Sequence, residues 1–175
     1  MNLKGIKKKS ALKFLRKNLK GKVGNRDSSL EKIKKIGILA EVDLFKTYDF
    51  TRKLSENFGV AKNNFDVLLC NNDYGQDSLD NYLSFSEKDF GLSGKVKSEN
   101  LKKFIDNRYD LLIDYCNNDN VFARIICLKT NARLIAGFEN EEFNMYDISI
   151  KLKNNRIDTF NEELTKYLQI LNLLN

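Results

Sequence analysis

The sequence predicts a three-layer α/β sandwich, a mostly parallel sheet with helices on both faces, preceded by a basic helical segment. Three observations carry this. Short continuous apolar runs occur at 36–40 (IGILA), 65–70 (FDVLLC), 109–115 (YDLLIDY) and 132–138 (ARLIAGF). Helix-patterned stretches of about ten residues lie between most of them. The first 26 residues hold cations and no acid. A run with so few polar positions suits a strand covered on both faces, and right-handed crossovers between such strands put helices on either side. The expected class is therefore Rossmann-like or flavodoxin-like.

Taken in order, residues 10–20 contain good helix formers, with Ala11, Leu12, Leu15 and Leu19 recurring at spacings of three and four as an apolar stripe among cations. Gly21 and Gly24 break that pattern, and Asp27, Ser28 and Ser29 offer turn and cap chemistry. The expected boundary therefore separates a basic arm, 1–29, from an α/β domain, 30–175. The first strand leads to an amphipathic helix over 46–58 closed by Gly59. After the second strand, 82–96 combines the alternation of YLSFS with a glycine-bearing turn and predicts an irregular strand or hairpin. Ser98 is the expected cap of a helix through Asn107, and Asp119 that of a helix to about residue 130. Residues 145–152 alternate like a late or edge strand. The last helix is expected near Thr159, with Thr159 and Glu162 as a capping box and Phe160, Leu164, Leu168 and Leu171 facing the core.

A chain of 175 residues, 42% hydrophobic, can bury one ordinary core. Cys70, Cys116 and Cys127 form no CxxC pair and lie in or beside apolar runs, so they read as buried thiols of a reducing compartment, with a cytoplasmic location expected and a zinc site not. The opening residues show no apolar signal-peptide region, and nowhere do about 18 apolar residues run together, so no transmembrane segment is expected. Histidine is absent, which excludes triads with a His base, Cys-His nucleophiles and His-ligated metals. Proline is absent too, which reads as coding bias without functional weight.

Charge is partitioned more sharply than the total of +6 suggests. Lys4, Lys7, Lys8, Lys9, Lys13, Arg16, Lys17, Lys20, Lys22 and Arg26 give residues 1–26 a charge of +10, which leaves −4 on the other 149 residues. Such a segment can neutralise several phosphates and release their counterions, so these ten residues are the candidate RNA-binding set. Eight of the ten are lysine, which favours point contacts to backbone phosphate over bidentate reading of bases. A solvated, solubilising tail and a membrane-surface amphipathic helix are the competing readings, and the short stripe without tryptophan argues against the latter.

Other chemistry is sparse. Ligands of open α/β sheets bind beyond the carboxyl ends of the strands. There Glu41 and Asp43 follow the first strand, Asn71, Asn72 and Asp73 the second, and Asn117, Asn118 and Asp119 the third. Glu41, Asp43, Asp73 and Asp119 are the residues an enzyme would use, with or without magnesium, although Asx residues are also ordinary turn and cap formers. The first strand runs into AEVDLF, and neither GxGxxG nor GxxxxGK[ST] is present, so a phosphate-cradling loop is not expected. Gly91 and Gly94 read as a tight turn. Asp110 and Asp114 flank the apolar LLI of the third strand, and a hydrogen-bonded carboxylate at a wet strand end is preferred for Asp114 over a buried functional acid. Tyr74, Tyr82 and Tyr115 read as core or rim packing, with no RNP-like spacing.

In residues 33–45 (IKKIGILAEVDLF) and 109–138 (YDLLIDYCNNDNVFARIICLKTNARLIAGF) the chain resembles an uncharacterised α/β family of Bacteroidota, over about 30–173. That lineage also has a specific protein attached to the large ribosomal subunit, and a small acidic domain with a basic arm suits such a role. Segment 109–138 is also similar in rhythm to the N-terminal half of heptosyltransferase-type glycosyltransferases, whose nucleotide-sugar domain and donor site have no counterpart here. Together these readings predict a non-enzymatic RNA-binding protein, ribosomal or ribosome-associated. It would contact rRNA, and neighbouring ribosomal proteins in the ribonucleoprotein, without a cofactor. The alternative is a small or degenerate α/β enzyme, glycosyltransferase-like or Mg-dependent.

Overall fold

The computed structural model describes residues 3–19, 31–71, 81–153 and 156–174. Six strands form one sheet: β1 (Ile36–Glu41), β2 (Phe65–Cys70), β3 (Leu83–Phe85), β4 (Arg108–Asp114), β5 (Asn131–Phe138) and β6 (Ile148–Ile150). Their order is β3-β2-β1-β4-β5-β6 and every pairing is parallel. The predicted α/β sandwich is therefore the fold, and 145–152 supplies the expected edge strand.

Alternation along the strands divides the core into two layers. Leu39, Leu68, Leu112 and Ile135 face one side, where α4 (Glu99–Asp106) and α5 (Val121–Lys129) contribute Leu101, Phe104, Ile125 and Leu128. Ile36, Ile38, Leu69, Leu111 and Ile113 face the other, under Phe50, Leu54 and Phe58 of α3 (Phe50–Phe58) and Phe160, Leu164 and Leu168 of α6 (Ile157–Ile170). Each such buried Leu, Ile or Phe side chain contributes roughly 1.5–3 kcal/mol.

The basic segment forms α1 (Leu3–Asn18), which does not stand away from the sheet. Ala11 and Leu15 are fully buried in the first layer, Leu12, Phe14 and Leu19 pack beside them, and the helix rests on α5 and the turn Leu92–Gly94. Ser93, at φ 55, donates its backbone N–H to Ser10 Oγ at 2.8 Å. Gly94, at φ +66, lies so close to Phe14 that an added Cβ would sit 3.0 Å from the ring. The predicted stripe is thus the packing face, while the boundary expected between 29 and 30 lies outside the described residues.

Local capping corrects four expectations. The helix expected over 46–58 is two: α2 (Val42–Thr47) starts directly from Glu41, and extended Tyr48 separates it from α3, whose N-cap is Asp49. Gly59, at φ 68, closes α3 as expected. Asn120, not Asp119, caps α5 through its side-chain oxygen. The last helix begins at Ile157 without a side-chain cap, so Thr159 lies inside it and the capping box does not form. Leu171 ends that helix exposed rather than facing the core.

Candidate functional site

Consecutive connections run outward in opposite directions from β1 and β4, and this reversal opens a crevice beyond their carboxyl ends. Register sets what meets there. Glu41 pairs with Cys70, and Leu39 pairs with Asp114, so the chain after β4 passes beside Glu41. Glu41 Oε1 accepts from the Asn117 backbone N–H at 3.4 Å and from Asn120 Nδ2 at 3.3 Å. Asn120 Nδ2 also lies 2.9 Å from Cys70 Sγ. One asparagine therefore caps α5 and ties the ends of β1 and β2 to it.

A cavity of about 290 Å³ opens at this point, lined by Glu41, Cys70, Asn71, Phe85, Asn120 and Phe122, with Glu87, Asp119 and Lys8 also on its wall. A second cavity, of about 360 Å³, shares Glu41 and Asn117 with the first and is also lined by Asp43, Leu44 and Tyr115 among others. The carboxylates expected at the strand ends are thus only partly gathered: Glu41 lines both cavities, Asp119 the first, Asp43 the second, and Asn72 and Asp73 lie outside the described residues. Among the described residues, no three of His, Cys, Asp or Glu are grouped to hold a metal ion. Because α2 starts at once after β1, no loop intervenes there to cradle a phosphate.

Beneath the crevice lies a buried charge network. Asp114 is 1% exposed, so the wet strand end expected for it is not found. It is nonetheless hydrogen-bonded. One oxygen accepts from Arg124 Nη1, Tyr146 Oη at 3.0 Å and Cys127 Sγ at 3.2 Å, and the other from the Cys116 backbone N–H at 2.9 Å. Arg124 Nη2 reaches the carbonyls of Cys116 at 3.3 Å and Asn117 at 3.1 Å, and Asn118 Oδ1 at 3.3 Å. The guanidinium therefore fixes the segment that floors the crevice. Burial acts against its charge, and Asp114 more than offsets this, holding Arg124 above its ordinary range. Tyr146 fits only because residue 137 is glycine, where an added Cβ would come within 2.5 Å of the ring. Sequence reasoning did not pick out Arg124 or Tyr146, and it read Cys127 only as a buried thiol. The available signal was one cation amid the apolar residues of VFARIICL.

All three cysteines are buried free thiols, as expected, and burial pushes Cys116 well above the usual thiol range. Four tyrosines behave alike. Burial, then the hydrogen bond to Asp158, pushes Tyr48 up to about 12, and burial likewise raises Tyr109, Tyr115 and Tyr146, the last also through Asp114. A phenol raised in the folded state contributes stability that is complete below its unfolded value near pH 10 and is lost as pH rises towards the folded value. For buried Tyr115 and Tyr146 that loss is about 1.4 kcal/mol per pH unit per group. Alkaline titration followed by phenolate absorbance should show Tyr115 and Tyr146 ionising only with a coincident loss of helical circular dichroism.

The candidate RNA-binding residues lie on the outer side of α1. Lys8, Lys9, Lys13 and Lys17 are exposed and Lys7 is half-buried. Arg16, also exposed, pairs with Glu142 at 2.9 Å, and it is the one cation of this helix with an ion pair among the described residues. Lys129 adds a cation from α5, 4.9 Å above the Phe14 ring. The side chain of Lys4, and all of Lys20, Lys22 and Arg26, lie outside what is described.

The strand order and the crevice define a Rossmann-like α/β protein with no phosphate loop after its first strand. The chain belongs to a family of unknown function (DUF6913), whose model matches residues 7–171 and so includes most of α1. No curated protein and no solved structure matches it. No helix among the described residues is long and apolar enough to cross a membrane.

Proposed function

We propose that this protein binds RNA through the cationic face of α1, without catalysing a reaction, and that its partner is ribosomal RNA. The observation that carries this reading is the partition of charge, +10 in residues 1–26 against −4 in the rest, combined with the packing of α1. Buried Ala11 and Leu15 turn Lys9, Lys13 and Lys17 towards solvent on a helix held in place. Neighbouring positions there rise by about 1.5 Å per residue, so the cations form a compact row suited to successive phosphates. A solubilising tail needs no anchored face, and a membrane-surface helix would offer lipid the same apolar stripe that is already used against α5.

Deleting the segment would also remove core side chains, so substitution is the cleaner test. In the triple variant Lys9→Gln, Lys13→Gln, Lys17→Gln, affinity for RNA is expected to fall and the slope of log K against log salt to shrink by about 0.7–0.9 per lost phosphate contact. Unchanged affinity and slope would overturn the reading, as would retention on anionic vesicles with no RNA binding. The native protein is expected to travel with ribosomal particles in a sucrose gradient and to leave them at raised salt.

A further inference from the structure

We infer that the crevice at the β1 and β4 ends is a pocket for one unpaired RNA base carrying an exocyclic amino group, beside the phosphates held by α1. The inference rests on the RNA-binding reading above and adds a specificity that phosphate contacts cannot give.

Lys8 connects the two features. It is an exposed cation of α1, and it also lines the 290 Å³ cavity, so a strand lying along the helix passes the mouth of the crevice. That volume is near the lower limit of pockets that take small ligands, about 300 Å³. Its walls suit a base better than a phosphate. Glu41, Glu87 and Asp119 would repel a phosphate, whereas carboxylates accept hydrogen bonds from the amino group of a base, as Glu and Asp do from cytosine N4. Asn71 and Asn120 add carboxamides, and half-buried Phe122 supplies apolar ring surface on which an unstacked base can pack. Phe122 is itself backed by Phe90, with ring centroids 4.9 Å apart. The floor is already formed, because Arg124 holds the 116–118 carbonyl segment and Asn120 ties α5 to the strand ends. Uracil, which presents a carbonyl where cytosine presents an amino group, would meet carboxylates with an acceptor.

The test uses full-length protein and fluorescein-labelled single-stranded oligocytidylate and oligouridylate of about eight nucleotides, each at about 50 and 200 mM salt. Both oligomers are expected to bind with strong salt dependence, and oligocytidylate about tenfold tighter, which corresponds to about 1.4 kcal/mol. Glu41→Gln is expected to bring the ratio below about twofold, and Asp119→Asn, at an exposed position, to reduce it without affecting folding. Should Glu41→Gln fail to give a wild-type melting curve, the ratio for Asp119→Asn decides. Equal, salt-dependent binding of both oligomers by the wild type would overturn the base pocket and leave the helix reading standing. Salt-dependent binding of neither would overturn both.

Discussion

Arg124→Met is expected to destabilise the protein by about 3–5 kcal/mol, because it leaves the Asp114 carboxylate buried without its cation. Arg124 and Asp114 are each 1% exposed, so water cannot take over for the missing partner. Two kinds of contact are lost at once. Nη1 serves Asp114, while Nη2 holds the carbonyls of Cys116 and Asn117. A lysine has one ammonium at the end of a flexible stem and cannot serve both directions, so Arg124→Lys should recover only a minor part of the loss. Pairing Arg124→Met with Asp114→Asn should cost less than the sum of the two single changes, because the second removes the charge that the first stranded. Urea denaturation of the four variants and the parent protein checks this. A loss under about 1 kcal/mol for Arg124→Met would mean that the buried pair with Asp114 does not hold the fold as argued.

That network also marks where sequence reading stops. The strands were legible because 36–40, 65–70, 109–115 and 132–138 are apolar runs too short for helices and bounded by turn-forming residues. Ser98 was legible as a cap because its side chain acts within its own segment, accepting from Leu101 N–H. Asp119 against Asn120 was not, since both are good caps one residue apart and the choice falls to Asn120, which also reaches Glu41 and Cys70 from other strands. The long helix over 46–58 failed similarly: amphipathic spacing continues across Tyr48, but its phenol donates to Asp158 near the start of α6, and the chain turns extended to let it. For the site, Glu41 and Asp119 were named because strand ends are known positions in a parallel sheet. Arg124 was hidden in an otherwise apolar helix, and its partners sit 10 and 6–8 residues away on β4 and the loop beyond it. Lys8 was read for its charge alone. Its place on the crevice wall depends on how α1 docks, which no local pattern encodes.

Leu15→Ala is expected to cost about 2–5 kcal/mol, a value typical of a fully buried leucine in a core. The charge pattern alone argues the opposite. Ten cations with no acid describe an appendage, and a side chain on an appendage would contribute nothing measurable. Packing decides between the two, because Leu15 is 0% exposed in the same layer as Ile125 and Leu128 of α5. Removing its methyl groups opens a void under α1 that the sheet cannot collapse to fill. At about 2–4 °C per kcal/mol for a chain of this size, the melting temperature should fall by roughly 4–20 °C. Lys13→Ala, two residues earlier on the exposed side, should stay within about 0.5 kcal/mol of the parent protein. Melting of Leu15→Ala should remain one transition, with α1 lost together with the sheet. A separate early transition, or no shift at all, would mean that the cations are carried on a segment independent of the sheet, and a strand of RNA bound to them would then have no fixed path past Lys8 into the crevice.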